Sequence, residues 1–301
     1  MSDLGPVRQF LGLEIDRLPN GYLRLYQPHF ILKVLQRFNI QDCNGVYTPM
    51  EAERRLVPAN ENDKLVEQRE YQSLVGSLMY IAVGTRPDLA FTISVLSKFN
   101  SQPTTDHFLA TKPVLRYLKE TVEMGLVYGT IDNIIDYTDA DFAGDLNDRK
   151  STSGYVFTLA GGAISWKSKK QLLVSLFSTE AEYVACSEAI QEGIWLRRLY
   201  HEIISTKANS IPPSIQLVLS DSQGAIGLAK APRFNTRVKH MHVKYHFVQD
   251  VYAQGLIELN YLPTTEIPAD IMTKPLPWDT HQRHVKVMGL QEGNGREEDK
   301  L

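Results

Sequence analysis

The hydrophobic period changes near Ile131, and that change restricts the fold more than any other feature of the chain. Upstream, apolar residues recur mostly at helical spacing; downstream they fall into short runs bounded by turn residues. Ile134 to Phe142, Gly154 to Leu159 and Ala163 to Lys167 read as strands, the last two joined at Gly161-Gly162, and Leu172 to Phe177 reads as a fourth. A long helix follows from Thr179 to about Ile204. Ile215 to Ser220 is then a short apolar strand, Ser222 to Lys230 and Val238 to Gln254 are helices, Leu256 to Leu262 is the last strand, and Ile267 to Thr273 a last short helix. A meander, then a helix, then a strand reached by a crossover predict a mixed sheet with helices packed on its faces.

Before this region, Phe10 to Ile15 and Tyr22 to Tyr26 flank the Pro19-Asn20-Gly21 turn as a hairpin, and Gln27 to Phe38 has the apolar spacing of a helix. Residues 51–66 are polar. Helices are expected over Tyr71 to Val83, from Arg86-Pro87-Asp88 through Lys98, and from Thr105 to Thr121, while the stretch beyond Leu290 is expected to be disordered. These limits divide the chain into 1–50, 51–130, 131–280 and 281–301. The 32 Lys+Arg against 35 Asp+Glu exclude a uniformly basic coat but leave room for a local basic groove. Cys43 and Cys186 are the two cysteines, too few for a cysteine-based zinc knuckle and in keeping with a reducing compartment. Neither an export signal nor a run of about eighteen apolar residues occurs, so a soluble cytoplasmic or nuclear protein is expected.

Four acidic residues fall where such a sheet would gather them. Asp139 interrupts the first strand, and a carboxylate there is costly to bury unless something satisfies it. Asp221 directly follows an apolar strand, at the end where ligands tend to sit, and Asp270 lies just after the last strand. On the long helix the choice is between Glu180 and Glu182, which point to nearly opposite faces. Glu182 shares its stripe with Ala185, Cys186 and Ala189, small residues suited to close packing on a sheet, whereas Glu180 leads a more solvated stripe; Glu182 is favoured. Converging carboxylates suit hard cations such as Mg²⁺, and a pair of ions about 4 Å apart can activate water and steady the leaving oxygen at a phosphodiester. Taken singly, each acid also fits a helix cap: Thr179-x-x-Glu182 as a capping box, Asp221 before Ser222, and Asp270 in its own helix.

Tyr137-Thr138-Asp139-Ala140-Asp141-Phe142-Ala143-Gly144-Asp145, Asp148-Arg149-Lys150-Ser151-Thr152-Ser153-Gly154-Tyr155, Ser178-Thr179-Glu180-Ala181-Glu182-Tyr183, Ser220-Asp221-Ser222-Gln223-Gly224-Ala225-Ile226, Lys239-His240-Met241-His242-Val243-Lys244-Tyr245-His246-Phe247 and Ala269-Asp270-Ile271-Met272-Thr273-Lys274-Pro275-Leu276 together resemble the ribonuclease H region of copia-type retrotransposon Pol polyproteins. Upstream, Phe10 to Ile15 resembles the end of a reverse transcriptase domain, and Tyr71 to Tyr80 with Thr85 to Ala90 the segment connecting it to ribonuclease H. The resemblance implies an α/β fold: a ribonuclease H-like mixed five-stranded sheet with flanking helices, preceded by a mainly helical connection segment. It further implies hydrolysis of the RNA strand of RNA–DNA hybrids through two Mg²⁺ ions, for which Mn²⁺ can substitute, alongside the rest of a Pol polyprotein in a cytoplasmic particle or the nucleus. Asp139, Glu182, Asp221 and Asp270 are the implied metal ligands, with Asp139 and Asp221 holding both ions. Two departures stand out. The Tyr-x-Asp-Asp turn of the family's polymerase does not occur in these 301 residues, so no DNA synthesis is expected from them. Pro263 to Pro268 also lacks the histidine that many ribonucleases H carry shortly before the last aspartate.

Lys167, Lys169 and Lys170 form a short basic arm that, with Arg233, Arg237, Lys239 and Lys244, can hold a hybrid's phosphates without reading sequence. A charged strand edge that discourages aggregation explains the lysines equally well. His240, His242 and His246 have helical spacing but no cysteine beside them, which favours packing or phosphate contact over zinc. Tyr155 and Trp166 are expected to pack in the core rather than stack on bases.

Overall fold

The structure, a computed structural model, describes residues 5–51, 54–130, 133–205, 215–231 and 242–292. In chain order the elements are β1 (Gln9–Phe10), β2 (Leu13–Arg17), β3 (Leu23–Tyr26), α1 (Pro28–Arg37), α2 (Gln68–Gly84), α3 (Ala90–Ser97), α4 (Thr105–Glu120) and β4 (Gly125–Tyr128). There follow β5 (Ile135–Ala140), β6 (Thr152–Leu159), β7 (Gly162–Lys170), α5 (Ser178–Ser205), β8 (Gln216–Ser220), α6 (Gln223–Lys230), α7 (His242–Ala253), β9 (Ile257–Tyr261), α8 (Trp278–Val287) and β10 (Leu290–Gln291). Two compact units result. Met1–Thr130, Ala160–Ala163 and Lys274–Leu301 make the first; Ile131–Leu159 and Ile164–Thr273 make the second.

The first unit combines helices with an antiparallel sheet in the order β1-β2-β3-β4-β10. Residues 1–50 and 51–130 therefore share one unit, and within 281–301 the chain continues as the end of α8 and then β10, at Leu290–Gln291. Residues 293–301 lie outside the described residues. Helix α2 starts where the Glu67 carboxylate accepts the amides of Arg69 and Glu70, and its Tyr71, Leu74, Val75, Leu78 and Ile81 stripe is buried. Between α2 and α3 lies a fully buried ion pair. The Arg86 guanidinium grips Asp88 with Nη2 at 2.7 Å and Nε at 3.0 Å, and donates to the Thr121 carbonyl and hydroxyl at 3.1 and 2.8 Å. The Tyr117 hydroxyl donates to Asp88 at 2.7 Å. On α8, His281 and His284 are buried, and neither ring has a hydrogen-bond partner among the described residues. Burial pushes both imidazoles down to about 4.

The second unit is a mixed sheet in the order β7-β6-β5-β8-β9, with β5 antiparallel to β6 and parallel to β8, and β8 parallel to β9. The β6–β7 turn sits at Ala160 and Gly161, both at positive φ, 55° and 82°, one residue earlier than Gly161-Gly162. Ala181 and Ala185 of α5 pack on Ala140 of β5, so small side chains let helix and strand approach closely. Helix α5 also joins Val218, Tyr245, Val248 and Leu259 in a larger apolar cluster through Tyr183, Cys186 and Ile190. Tyr155 is core, packed with Phe157. Helix α7 is described from His242, so the expected start at Val238 lies outside the described residues.

The expected strand over Leu172 to Phe177 does not form. Gln171 turns inward and donates to the Ser153 hydroxyl and the Ala181 carbonyl, each at 2.9 Å, while Ser175 donates to Gln171 at 3.1 Å. The Leu176 amide donates to the Glu180 carboxylate at 2.7 Å. Side chains and a helix start thus take up the polar groups that a β-ladder would have used.

Asp136 of β5 is fully buried and receives the Gln216 amide at 3.0 Å; burial pushes its carboxyl up to about 8.

Two outcomes are expected in chemical unfolding. Asp88→Asn leaves Arg86 charged and buried without its anion and costs the first unit about 3–5 kcal/mol; an unchanged midpoint would show that the pair is not needed. The units also respond to pH with opposite signs. Folded Asp136 binds more protons than unfolded, so its contribution to the second unit falls as pH rises from about 4 to about 8, at up to about 1.4 kcal/mol per pH unit. His281 and His284 bind fewer protons folded, so their contribution to the first unit is lost as pH falls from about 6.5 to about 4. Asp136→Asn should flatten the second unit's decline between about pH 4 and 8 and leave the first unit's loss below about pH 6.5 in place.

Candidate metal centre

Asp139, Glu182 and Asp221 come together: one carboxylate oxygen from each lies within 4.8 Å of the other two. Three separate elements supply them. Asp139 is on β5, opposite Gly154 of β6, and is buried. Glu182 sits in the first turn and a half of α5, half-buried, between Ala181 and Ala185 where the helix meets the strand. Asp221 follows β8, and the parallel pairing of β8 with β5 brings that strand end beside Asp139.

The capping alternatives are not used. Helix α5 begins at Ser178, which leaves Thr179 inside it. Glu180 is the carboxylate spent locally, on the Leu176 amide, and it stays outside the group of three. Ser222, not Asp221, caps α6 by accepting the Ala225 amide at 3.2 Å. Asp270 does not cap either, because it lies within a 3₁₀ turn, Pro268–Met272. That turn packs against β5 and β6, yet Asp270, though buried, is not part of the group of three. Three of the four expected acids have oxygens within 4.8 Å of one another, and the fourth, Asp270, is buried on the turn that packs against β5 and β6.

Two hydroxyls that sequence reasoning passed over touch this group. Thr273 donates to Asp139 Oδ2, and Thr264 donates to Asp221 Oδ2 at 2.6 Å. Thr273 stands inside the Ala269-to-Leu276 motif, but nothing in a linear pattern distinguishes it from its neighbours. The donor set fits a divalent cation: hard oxygen ligands on three elements suit Mg²⁺, which keeps its other positions for water or phosphate. Like charges at 4.8 Å repel by about 3–4 kcal/mol per pair at an effective dielectric near 20, less where water screens the half-exposed Glu182 and Asp221, so a cation relieves a real strain.

Of the expected phosphate contacts, Lys167 and Lys169 are exposed on the edge strand β7, with the Lys167 ammonium 5.9 Å from the Tyr155 ring centre. Lys170 is engaged otherwise: it pairs with Asp145 at 2.7 Å and Asp148 at 2.8 Å, tying down the loop after β5. Lys244 pairs with Glu188 at 3.2 Å. Arg233, Arg237, Lys239 and His240 lie outside the described residues, as does the side chain of His242. No helix of the described residues is long and apolar enough to cross a membrane.

Residues 1–52 match the family described as reverse transcriptase (RNA-dependent DNA polymerase). The Retrovirus-related Pol polyprotein from transposon TNT 1-94 of Nicotiana tabacum is 39% identical over 297 residues, covering 96% of this chain and 22% of that protein. The Retrovirus-related Pol polyprotein from transposon RE2 of Arabidopsis thaliana is 37% identical over 283 residues, covering 93% of this chain and 19% of that protein. Among solved structures, LC11-RNase H1 in complex with RNA/DNA hybrid aligns at 16% identity and a TM-score of 0.35, over 47% of this chain and 94% of that one. The chain belongs to the copia-type retrotransposon Pol family, and its second unit has the five-stranded mixed sheet with flanking helices that the sequence resemblance implied. It spans about a fifth of the length of these two Pol polyproteins.

Proposed function

We propose that the second unit hydrolyses the RNA strand of RNA–DNA hybrids in a Mg²⁺-dependent reaction, as the ribonuclease H part of a Pol polyprotein. The observation that carries this reading is the convergence of Asp139, Glu182 and Asp221 oxygens within 4.8 Å. These three carboxylates would hold the metal, with Asp270 close by on its 3₁₀ turn. Bound there, Mg²⁺ supplies Lewis acidity toward a phosphodiester and lowers the pKa of water. The remaining work belongs to the chain. Asp139 on β5 and Asp221 just after the parallel neighbouring strand β8 fix the spacing of the ligands. Thr273 and Thr264 orient those two carboxylates. Lys167 and Lys169, exposed on an edge strand, would take phosphates of the hybrid as positioning contacts that carry no sequence information.

Asp139→Asn should reduce cleavage of a labelled RNA–DNA hybrid by more than the roughly 100-fold typical of losing an outer partner of a metal ligand. Removing one like charge should leave the metal-free variant melting no lower than the parent protein. Near-full activity of this variant would refute the assignment. Salt-sensitive hybrid binding by the parent chain, with no cleavage at any Mg²⁺ concentration, would favour a binding remnant over an enzyme.

The basic strand is tested separately. Replacing Lys167 and Lys169 together with Gln should reduce the slope of log binding constant against log salt by about 2, roughly 0.9 for each phosphate no longer neutralised. An unchanged slope would return both lysines to the role of a solvated edge.

A further inference from the structure

We infer that Thr273 is a positioning residue for the acidic cluster: its buried hydroxyl holds one oxygen of Asp139 and thereby sets how that carboxylate meets a divalent cation. The inference rests on the reading of Asp139 as a metal ligand. Thr273 is fully buried at the end of the Pro268–Met272 turn. Its hydroxyl has two acceptors within reach, Asp139 Oδ2 and the Asp270 carbonyl at 3.1 Å, and one proton to give. The Asp270 carbonyl already accepts the Thr273 amide at 3.2 Å. A carboxylate is also the stronger acceptor, so the hydroxyl proton belongs to Asp139. With Oδ2 fixed in this way, the plane of the carboxyl group and the direction of Oδ1 are fixed as well.

An independent steric feature serves the same contact. Gly154 faces Asp139 across the β5–β6 ladder. A Cβ there would stand 2.6 Å from the Met272 Cβ, 2.8 Å from the Thr273 Cγ2 and 3.1 Å from the Ala269 carbonyl. Gly154 is not among the positive-φ residues, so its backbone conformation does not call for glycine. Space does: the turn carrying Thr273 rests directly on a strand position with no side chain. Sheet and turn are thus shaped to bring one hydroxyl to one carboxylate. Partners of this kind, which orient a ligand without touching the metal, commonly change metal affinity about 10- to 100-fold.

The test uses the full chain and Mn²⁺ alone as the probe, titrated calorimetrically without nucleic acid. Thr273→Val removes the hydroxyl at similar volume and should weaken Mn²⁺ binding about 10- to 100-fold, whereas Thr273→Ser should stay within a few-fold of the parent. Gly154→Ala, which lifts the turn, should weaken binding in the same direction with Thr273 intact. Thermal unfolding of each variant checks its fold, and Thr273→Ala replaces Thr273→Val in the comparison should the latter not fold. Parent-like Mn²⁺ binding by Thr273→Val, or equal loss in the Ser and Val variants, overturns the inference. A parent chain that binds Mn²⁺ but leaves hybrids uncut sinks the nuclease reading alone, and the comparison of variants still decides the role of Thr273. A parent chain that binds no Mn²⁺ overturns both.

Discussion

Carboxylates brought within 4.8 Å of one another repel, and a fold that keeps them there must be held together by something else. In the second unit that stabilisation comes from apolar packing around α5. Tyr183, Cys186 and Ile190 lock into Val218, Tyr245, Val248 and Leu259, with Cys186 one turn along the helix from Glu182. The near side of the helix is reduced to alanine. Ala181 and Ala185 against Ala140 bury little area, but they let the helix axis come close enough for Glu182 to reach Asp139. Larger side chains here would bury more apolar surface and separate the acids. The distribution of large and small residues around one helix is therefore the condition for the site, and Gly154 beneath the last turn obeys the same rule.

The two units handle buried charge differently, and satisfaction of hydrogen bonds accounts for the contrast. Arg86 and Asp88 are taken wholly out of water, yet guanidinium, carboxylate, hydroxyls and carbonyl form a connected network in which each charge meets several partners. Asp136 receives the Gln216 amide, and its Oδ1 has no hydrogen-bond partner among the described residues. The first arrangement keeps both groups ionised; the second favours the neutral acid, which is why the same degree of burial gives a stable ion pair in one unit and a proton-binding carboxyl in the other.

Much of this was legible in the sequence because it depends on period and residue size. The meander, the long helix and the crossover strand follow from the spacing of apolar residues, and the preference for Glu182 follows from the small residues three, four and seven positions beyond it. Asp221 was likewise legible, as a carboxylate at the end of an apolar strand. What escaped depends on contacts remote in sequence. Lys170 is one of three lysines in a short stretch; that it pairs with Asp145 and Asp148 while Lys167 and Lys169 stay exposed follows from how a distant loop folds back. Thr273 meets Asp139 across 134 residues of chain.

Residues 171–177 show why an apolar run is an ambiguous signal. Leu172, Leu173, Val174, Leu176 and Phe177 are all exposed, while the polar Gln171 and Ser175 are buried. A strand would have placed alternate residues of this run in a core. Instead, the polar side chains are consumed in anchoring the entry to α5: Gln171 bonds the Ala181 carbonyl, and Glu180 receives the Leu176 amide. Those bonds determine where the first turn of α5 starts, and with it the position of Glu182 two residues beyond Glu180. The segment exposes apolar surface because its hydrogen-bonding groups are committed to placing a carboxylate, so local hydrophobicity is outweighed by the positioning of the site next to it.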